Sequence, residues 1–283
     1  MIKQWRLDTN NQSLVLSSSG NRLPCVIYWG KSLPSHESPD EMIEASKKDW
    51  GDNLIDLVPE LSILPEQSAN FSGQLGSKMR DINGQLLSSS FVFHSDKVSA
   101  NSLTLIYKDK ELGLTYTAKI DSMEEHNVFA LEAKIESKNP IIMEWLSAPV
   151  IEASQNSNEI VGYGGHWGGE FRRQITPWVT GTHLRESRVG TTSHAHFPGL
   201  LIPASGSSEN SGSCYGFHYG WSGGHRMVAE QLQDGRKQIQ FGHTENSELS
   251  PGKSFETAKL YITHSGDGAG GVGRTFRAFV SNS

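Results

Sequence analysis

The feature that most constrains the fold is an alternation of apolar and polar residues in many short segments. In ELGLTYTAKI every second residue is apolar, namely Leu112, Leu114, Tyr116, Ala118 and Ile120. Because successive side chains of a strand point to opposite faces, this period predicts half-buried β-strands. Similar runs are LPCVIYW, SFVFHS, NVFALEAKIES, IIMEWLSAPVIEA, EIVGYGG, CYGFHYGW, HRMVAEQLQ, RKQIQFGH and TAKLYITH.

Turn signals separate these runs. Asp234-Gly235 joins the runs at 225–232 and 236–243 and is a strong hairpin signal, and Asp109-Lys110 predicts another tight turn. The 29 glycines and many Ser/Asn clusters interrupt the strands at short intervals, as is typical of large sandwiches. The sequence therefore predicts an all-β domain of antiparallel strands.

Helix is favoured in two places only. SPDEMIEASKKDW, residues 38–50, begins with Ser38 as N-cap and Pro39 at the first helical position, with acids early and lysines late. The last dozen residues could form a second helix that buries Phe276 and Phe279. We therefore expect one short helical insertion and one C-terminal helix.

A literal G-x-G-x-x-G occurs at Gly268-Ala-Gly270-Gly-Val-Gly273, after an alternating run and before the predicted C-terminal helix. A dinucleotide-binding turn needs a parallel βαβ unit and usually an acidic residue about 20 positions further on. Here the preceding strands are antiparallel hairpins, and only ten residues follow Gly273. We interpret the motif as a flexible turn that opens a helix, and no cofactor is expected.

Charge and composition narrow the function classes. Lys and Arg number 25 against 31 Asp and Glu, a net charge of −6, and no basic stretch suggests nucleic acid as a partner. Cys25 and Cys214 suggest small buried hydrophobes rather than a disulfide framework. No apolar run approaches the roughly 18 residues of a membrane span, and MIKQWRLDTNNQ lacks the apolar core of a signal peptide. The expectation is a cytoplasmic protein with no membrane partner.

SHAHFP, residues 193–198, contains an H-x-H pair that on a strand would place His194 and His196 on one face. The pair could supply two metal ligands, with a third from elsewhere, such as His183 or His218. Alternatively, His194 could act as a general base in sugar chemistry, with Glu186 or Glu170 as its partner. Ordinary structural histidines are the more common case, and we assign no metal site.

Two aromatic segments also admit two interpretations. GYGGHWGGEFRR, residues 162–173, could present His166 and Trp167 to a sugar face, but bulges with Trp167 packed inward are favoured. CYGFHYGWSGGHR places aromatic residues at every second position, which more often builds a core: Tyr215, Phe217, Tyr219 and Trp221. Four arginines could clamp an anion, although Glu170 and Glu186 suggest ion pairs instead: Arg172, Arg173, Arg185 and Arg188.

Glycoside chemistry needs two carboxyl groups at a set separation, and none of the 31 acidic residues lies in a motif that marks such a pair. No catalytic residue is assigned, and the substrate-binding residues are unknown. The residues alone predict a large β-sandwich with a possible link to carbohydrates.

Several segments together resemble a known family. They are YWGKSL, LPEQSANFSGQLG, GGHWGGEFRRQITPW, RESRVGTTSHAHFPGLL, YGFHYGWSGGHRMVAEQLQDGRKQIQFG and LSPGKSFETAKLYITHSGDGAGGVGRTFRAF. In this order, from about 26 to 280, they resemble the N-terminal region of bacterial α-galactosidases of glycoside hydrolase family 36. The most specific parts are R-x-G-x-x-S-H, from Arg188 to His194, and the run from Pro251 to Thr257.

The resemblance implies a galactose mutarotase-like β-supersandwich over 1–265, then a glycine turn and linker helix over 266–283 that leads toward a (β/α)₈ barrel. Family enzymes remove terminal α-linked galactose from melibiose- and raffinose-type sugars with retention, using two aspartates of the barrel. A barrel needs roughly 250 residues of its own, so this chain is expected to be a non-catalytic domain. Its expected partners are the barrel, further copies in a homo-oligomer, and the α-galactoside substrate of the whole enzyme.

Two departures and two alternatives accompany the resemblance. Phe197 stands where the family usually has Asn, and 31–53 has no clear counterpart. The insertion at 38–50 is a candidate for reaching a neighbouring active site, against a solvated helix as the more common case. Once its partner is removed, the domain should expose an apolar patch near Phe276 and Phe279. The alternatives are a free-standing epimerase or mutarotase-like enzyme and a carbohydrate-binding module.

Overall fold

The computed structural model describes residues 2–34, 37, 41–43, 59–192, 194–247 and 250–282. The helical insertion predicted at 38–50 falls outside these residues except for Glu41, Met42 and Ile43, which are helical. Its suggested role near a neighbouring active site therefore stays a prediction.

Strands dominate the described residues. The first ten are β1 Ile2–Asp8, β2 Gln12–Ser19, β3 Cys25–Lys31, β4 Ser77–Asp81, β5 Leu86–Leu87, β6 Val92–Val98, β7 Ser102–Asp109, β8 Leu114–Met123, β9 Val128–Leu146 and β10 Ile151–Glu152. The others are β11 Glu159–His166, β12 Gly169–Pro177, β13 Gly181–Ser187, β14 Gly199–Pro203, β15 Cys214–Tyr219, β16 His225–Gln231, β17 Lys237–His243, β18 Gly252–Glu256 and β19 Leu260–Ser265. Helix α1 spans Gly268–Ser281, and single 3-10 turns occur at Gln67–Ala69 and Glu124–His126.

These strands form three antiparallel sheets. A three-stranded sheet has the order β1-β2-β3, and a four-stranded sheet has the order β10-β17-β16-β13. The 12-stranded large sheet runs β12-β11-β14-β15-β19-β9-β8-β7-β6, with β18 and β4 also paired to β9 and β5 paired to β4. The predicted hairpin at Asp234-Gly235 is confirmed, since β16 pairs with β17 in register from His225↔His243 to Gln231↔Lys237. Gly235 has φ +83°, which the tight turn requires.

One hydrophobic core joins the three sheets. Trp29 of β3 contacts Phe217 of β15 edge-on at 5.4 Å between ring centroids, so the small sheet packs on the large one. Phe217 also stacks on Phe241 of β17 at 6.4 Å, which connects the four-stranded sheet. The predicted core role of the aromatic ladder is confirmed for Phe217 and Tyr219, whereas Trp221 is 44% exposed. This is the multilayered all-β sandwich that the alternation predicts.

The longest strand differs from the sequence-based prediction. The runs NVFALEAKIES and IIMEWLSAPVIEA were predicted as separate strands, but β9 spans both of them in 19 residues. The alternating burial of β9 stops over Lys138–Pro140, which are exposed, and resumes at Ile141. Pairing with β18 shifts register across this break, as expected near a proline that cannot donate to the ladder.

Helix α1 lies against the large sheet. Val272 is fully buried, and a Cβ at Gly216 of β15 would lie 2.3 Å from Val272 Cγ1, so the glycine permits the close packing. Phe276 and Phe279 are half-buried, in ring contact with His218 at 6.2 Å and Tyr261 at 5.0 Å respectively. Both rings lie against the sheet, whereas Val280 of the same helix is 72% exposed, so the apolar patch expected near Phe276 and Phe279 stays a prediction. Within the described residues, no helix has the length and apolarity needed to cross a membrane.

The two cysteines differ in burial. Cys214 on β15 is buried, as expected, but Cys25 at the start of β3 is only partly buried. Cys25 Sγ lies 3.8 Å from Glu60 Oε2, and burial, followed by the charge of Glu60, raises the pKa of this thiol. Both thiols are free, and burial also raises the pKa of Cys214, to about 12. Neither environment favours a reactive thiolate.

Candidate functional site

A cleft of about 660 Å³ opens on the described surface. Five separate segments of the chain line it, at 143–146, 188–190, 221–224, 243–247 and 254–256. They belong to β9, the loop after β13, the loop before β16, the end of β17 and β18. The volume lies within the usual range of small-molecule sites, roughly 300–1,000 Å³. We call this feature the β9–β17 cleft.

Trp221 is the exposed aromatic side chain of the cleft. Its indole folds back over Gly223, where an added Cβ would lie 2.4 Å from Trp221 Nε1. The ring also contacts His243 edge-on, with 4.6 Å between the ring centroids. Gly224 in turn lies so close to Ser187 O that a Cβ would approach it to 2.9 Å. The two glycines thus let the backbone and the indole pack closely while part of the ring stays open to solvent.

Ion pairs neutralise the deeper carboxylates of the cleft. Glu144 bonds Arg80 Nε at 2.5 Å and Lys78 Nζ at 3.0 Å. Although burial acts in the opposite direction, these hydrogen bonds lower the pKa of Glu144. Glu245 is paired with Arg226 and lies 3.8 Å from Lys78. Both carboxylates are therefore poor candidates for a general acid.

A histidine lies beside these ion pairs. His243 Nδ1 is 3.4 Å from the hydroxyl of Tyr219, and burial lowers the pKa of His243. A neutral imidazole in a cleft could in principle accept a proton. However, Glu144 and Glu245 of the same cleft are held by cations, which leaves Glu256 as its one carboxylate without a described ion pair. The geometry does not form an acid–base pair.

Three polar side chains form an open rim. Asn246, Ser254 and Glu256 are exposed, and none of their side chains makes a hydrogen bond or ion pair within the described chain. Asn246 has φ +58°, a conformation that Asn tolerates better than most residues, and its backbone N–H donates to Glu144 O at 2.8 Å. The amide, hydroxyl and carboxylate are thus available to a ligand while the backbone of the loop is fixed.

The segment GYGGHWGGEFRR forms the hairpin of β11 and β12. The predicted bulge is confirmed by a register shift between Gly164 and His166. The predicted inward packing of Trp167 is wrong, because this side chain is 84% exposed. Gly168, with φ +77°, turns the chain directly after Trp167, so the indole lies at the tip of the hairpin, where its ring contacts His194 edge-on at 5.8 Å between centroids.

The H-x-H pair does not lie on a strand. His194 and Ala195 form a bend, so the expectation of two histidines on one strand face is wrong. Of the two proposed carboxylate partners, Glu170 lies near His194, at 4.0 Å from Nδ1, in contact with solvent. Glu186 instead accepts a bond from Arg188 Nε at 2.7 Å. The pair His194–Glu170 is exposed at the hairpin tip, away from any enclosed space that would tune its chemistry.

The proposed third metal ligands do not complete a site. Burial and the charge of Arg185 lower the pKa values of both His183 and His196, and the same charge would repel a cation. His218 instead stacks on Phe197, with 5.3 Å between ring centroids. Among the described side chains, no three of His, Cys, Asp or Glu are grouped to hold a metal ion.

The arginines do not converge on an anion site. Arg185 is buried and donates to Tyr163 O at 3.0 Å and Gln174 Oε1 at 2.7 Å. The predicted ion pair of Glu186 is confirmed with Arg188, whereas Glu170 accepts its bond from Gly168 N. No ion pair of Arg172 or Arg173 occurs within the ranges that the structure describes. These arginines therefore play separate roles.

The glycine motif is explained by packing. The N–H groups of Gly268, Ala269 and Gly270 donate to backbone carbonyls of the loop 208–212, at 2.8–3.2 Å. An added Cβ at Gly268 would lie 2.2 Å from Ser208 O, which explains the glycine there. The first amides of α1, which in a nucleotide site would bind phosphate, are thus already bonded to the protein.

Sequence reasoning missed most of the cleft. It singled out Trp221, Arg188 and the run Pro251–Thr257, which contains Ser254 and Glu256, but not His243 or Asn246. His243 ends β17 and Asn246 lies in the turn after it, and neither belongs to a motif that the sequence analysis identified. A usable signal was the glycine pair after Trp221, which indicates a close backbone approach.

The comparisons with known proteins agree with this architecture. Residues 22–249 match the model of the glycosyl hydrolase family 36 N-terminal domain. The chain therefore belongs to the glycosyl hydrolase family 36 N-terminal domain family, which confirms the resemblance.

Relatives and solved structures extend the match to the whole chain. The α-galactosidase of Escherichia coli is 28% identical over 98% of this chain and 39% of its own length. The solved α-galactosidase of Lactobacillus brevis has a TM-score of 0.85 and 15% identity, covering 98% of this chain and 41% of that one. A galactose mutarotase related enzyme from Lactobacillus acidophilus has a TM-score of 0.50 and 10% identity, covering 94% and 99%. The chain thus spans about two fifths of the length of the α-galactosidases that it matches.

Proposed function

We propose that this chain is the non-catalytic N-terminal domain of an α-galactosidase that removes terminal α-linked galactose from melibiose- and raffinose-type sugars. The observation that carries the proposal is the family match together with the coverage of about 40% of the α-galactosidases of Escherichia coli and Geobacillus stearothermophilus. In this proposal the catalytic aspartates belong to a (β/α)₈ barrel in the same polypeptide, and the whole protein forms a homo-oligomer in the cytoplasm.

The exposed surface supports a role in packing. Several large apolar side chains on and beside β12 and β13 are open to solvent: Trp167 84%, Phe171 66%, Ile175 54%, Val179 66% and Leu184 47%. Strand β12 is also the edge of the large sheet, with six of its nine residues exposed and none buried. Long edge strands with apolar side chains are covered in native proteins, because they otherwise promote aggregation. A barrel or another copy would bury this edge.

The mutarotase-like alternative rests on the fold and on His243. Its weakness is that Glu144 and Glu245 in the same cleft are engaged by cations. A carbohydrate-binding module is the other alternative, for which Trp167 and Trp221 are the exposed tryptophans of the described chain.

Two assays test the proposal. The 283-residue chain, incubated with a chromogenic α-galactoside, should release no chromophore above the blank, and turnover would refute a non-catalytic role. Fresh α-galactose, followed by polarimetry, should reach its anomeric equilibrium at the uncatalysed rate. Acceleration by the chain, lost in His243→Ala, would favour the mutarotase-like alternative.

A further inference from the structure

We propose that the β9–β17 cleft binds a neutral saccharide, with one sugar ring stacked on Trp221 and its hydroxyl groups bonded to Asn246, Ser254 and Glu256. This site requires only the residues of this chain. The inference therefore holds or fails independently of the proposed function.

The first argument is the indole of Trp221. It is 44% exposed, yet Gly223 below it and His243 at its edge hold it in place. An aromatic face carries partial negative charge and attracts the C–H groups that line one face of a pyranose ring. Because the indole is already positioned, little conformational entropy is lost when a ligand stacks on it.

The second argument is the charge of the walls. The cations beside the cleft are committed: Lys78 and Arg80 to Glu144, Arg226 to Glu245, and Arg188 to Glu186. A phosphate or carboxylate ligand would meet no free cation among these groups, and the carboxylate of Glu256 would repel it. The wall therefore favours a ligand without negative charge.

The third argument is the rim. An amide, a hydroxyl and a carboxylate are open to solvent at Asn246, Ser254 and Glu256, without partners in the described ranges. Together they provide both donors and acceptors, which the hydroxyl groups of a sugar require. The cleft of about 660 Å³ is large enough for a disaccharide. A quaternary ammonium cation would use the indole and Glu256 but would leave the amide and hydroxyl unpaired.

The test is titration calorimetry of the 283-residue chain with D-galactose, D-glucose, melibiose and raffinose, and with choline chloride and galactose 6-phosphate as charged probes. We expect saturable binding of at least one neutral sugar and weaker binding of the charged probes. Trp221→Ala should weaken sugar binding at least tenfold. Asn246→Gly, which preserves the positive φ, should weaken it about three- to tenfold.

Trp167→Ala is the matched control, because it removes an even more exposed indole outside the cleft. It should leave sugar affinity unchanged, and thermal unfolding should show that all three variants are folded. If Trp221→Ala does not fold, the sugar affinity of Asn246→Gly alone tests the proposal. The proposal is overturned if no neutral sugar binds, if choline or the phosphate binds more tightly, or if Trp167→Ala rather than the cleft variants abolishes binding.

Discussion

The guanidinium of Arg185 occupies the space that a side chain at residue 162 would need, since a Cβ on Gly162 would lie 1.7 Å from Arg185 Nη1. Arg185 belongs to β13 of the four-stranded sheet, and its two bonds reach Tyr163 and Gln174 of the large sheet. A buried cation thus connects the two sheets, and glycine at 162 is what makes room for it.

Gly162→Ala should therefore destabilise the domain strongly. The new methyl group must displace a buried, hydrogen-bonded guanidinium, and overpacking together with a broken buried contact costs about 3 kcal/mol or more. Urea unfolding of the two proteins measures this difference. In an Arg185→Met background the same substitution should cost much less, because the clash is gone. Equal costs in both backgrounds would contradict the explanation.

Gly273→Ala should stabilise the protein by about 0.5–1 kcal/mol. Gly273 lies inside α1 and nothing lies within 4 Å of an added Cβ, so alanine gains helix propensity without a clash. Gly268→Ala is the matched control, and it should destabilise, because residue 268 has φ +69° and a Cβ there would meet Ser208 O. Thermal unfolding midpoints should move in opposite directions, and a shift in the same direction would be inconsistent with this account.

Glu66 should make stability fall as the pH rises. Burial raises the pKa of Glu66 to about 7, although Phe91 N and Ser89 Oγ donate to its Oε1. The unfolded chain releases this proton near pH 4.5, whereas the folded chain keeps it until about pH 7. The contribution of Glu66 to the free energy of unfolding is therefore complete below about pH 4.5 and is lost by about pH 7. This loss amounts to roughly 3 kcal/mol at most.

Glu66→Gln should remove this loss while keeping an acceptor for the two donors. Unfolding free energies measured between pH 5 and 8 should decline less in the variant than in the parent. Parallel curves would show that Glu66 is ionised in the folded state.

His225 should make the folded protein less stable as the pH falls below neutrality. It is 1% exposed, and burial lowers its pKa from the ordinary histidine value of 6.5 to about 4. Stability from the neutral imidazole is complete above about pH 6.5 and is lost as the pH falls to about 4, by roughly 3 kcal/mol. His225→Leu should flatten the acid limb of the stability profile, measured by urea titration at pH 4.5 to 7. If the stability of the variant declined toward pH 4.5 as steeply as that of the parent, groups other than His225 would cause the acid sensitivity.

Alternation and turn chemistry were sufficient to predict most strands and the antiparallel, all-β class, but not the order of the strands in the sheets. The strand over Leu114–Met123 and the hairpin at Asp234-Gly235 follow from local residues only. Burial on one face of a strand requires alternating apolar residues, and a tight turn with positive φ favours glycine, so both features can be recognised in the sequence. The merging of two predicted strands into β9 was not visible, since Pro140 is usually a strand breaker and only the tertiary pairing maintains the extended chain through it.

The candidate site was largely beyond sequence reasoning. The cleft combines segments more than 100 residues apart, and their meeting depends on strand order rather than on any local pattern. The error at Trp167 has a similar cause, because the same glycine-rich sequence could place an indole inside a bulge or at the tip of a hairpin.

The long strand β9 has a consequence for how the chain folds. Its partners come from both ends of the sequence, with β4 at Ser77–Asp81 and β19 at Leu260–Ser265. Pairings so distant along the chain are slow to form because loop-closure entropy must be overcome first. The large sheet cannot be completed until β19 has left the ribosome. During synthesis, the edge of β9 that pairs with β19 therefore stays unpaired until then.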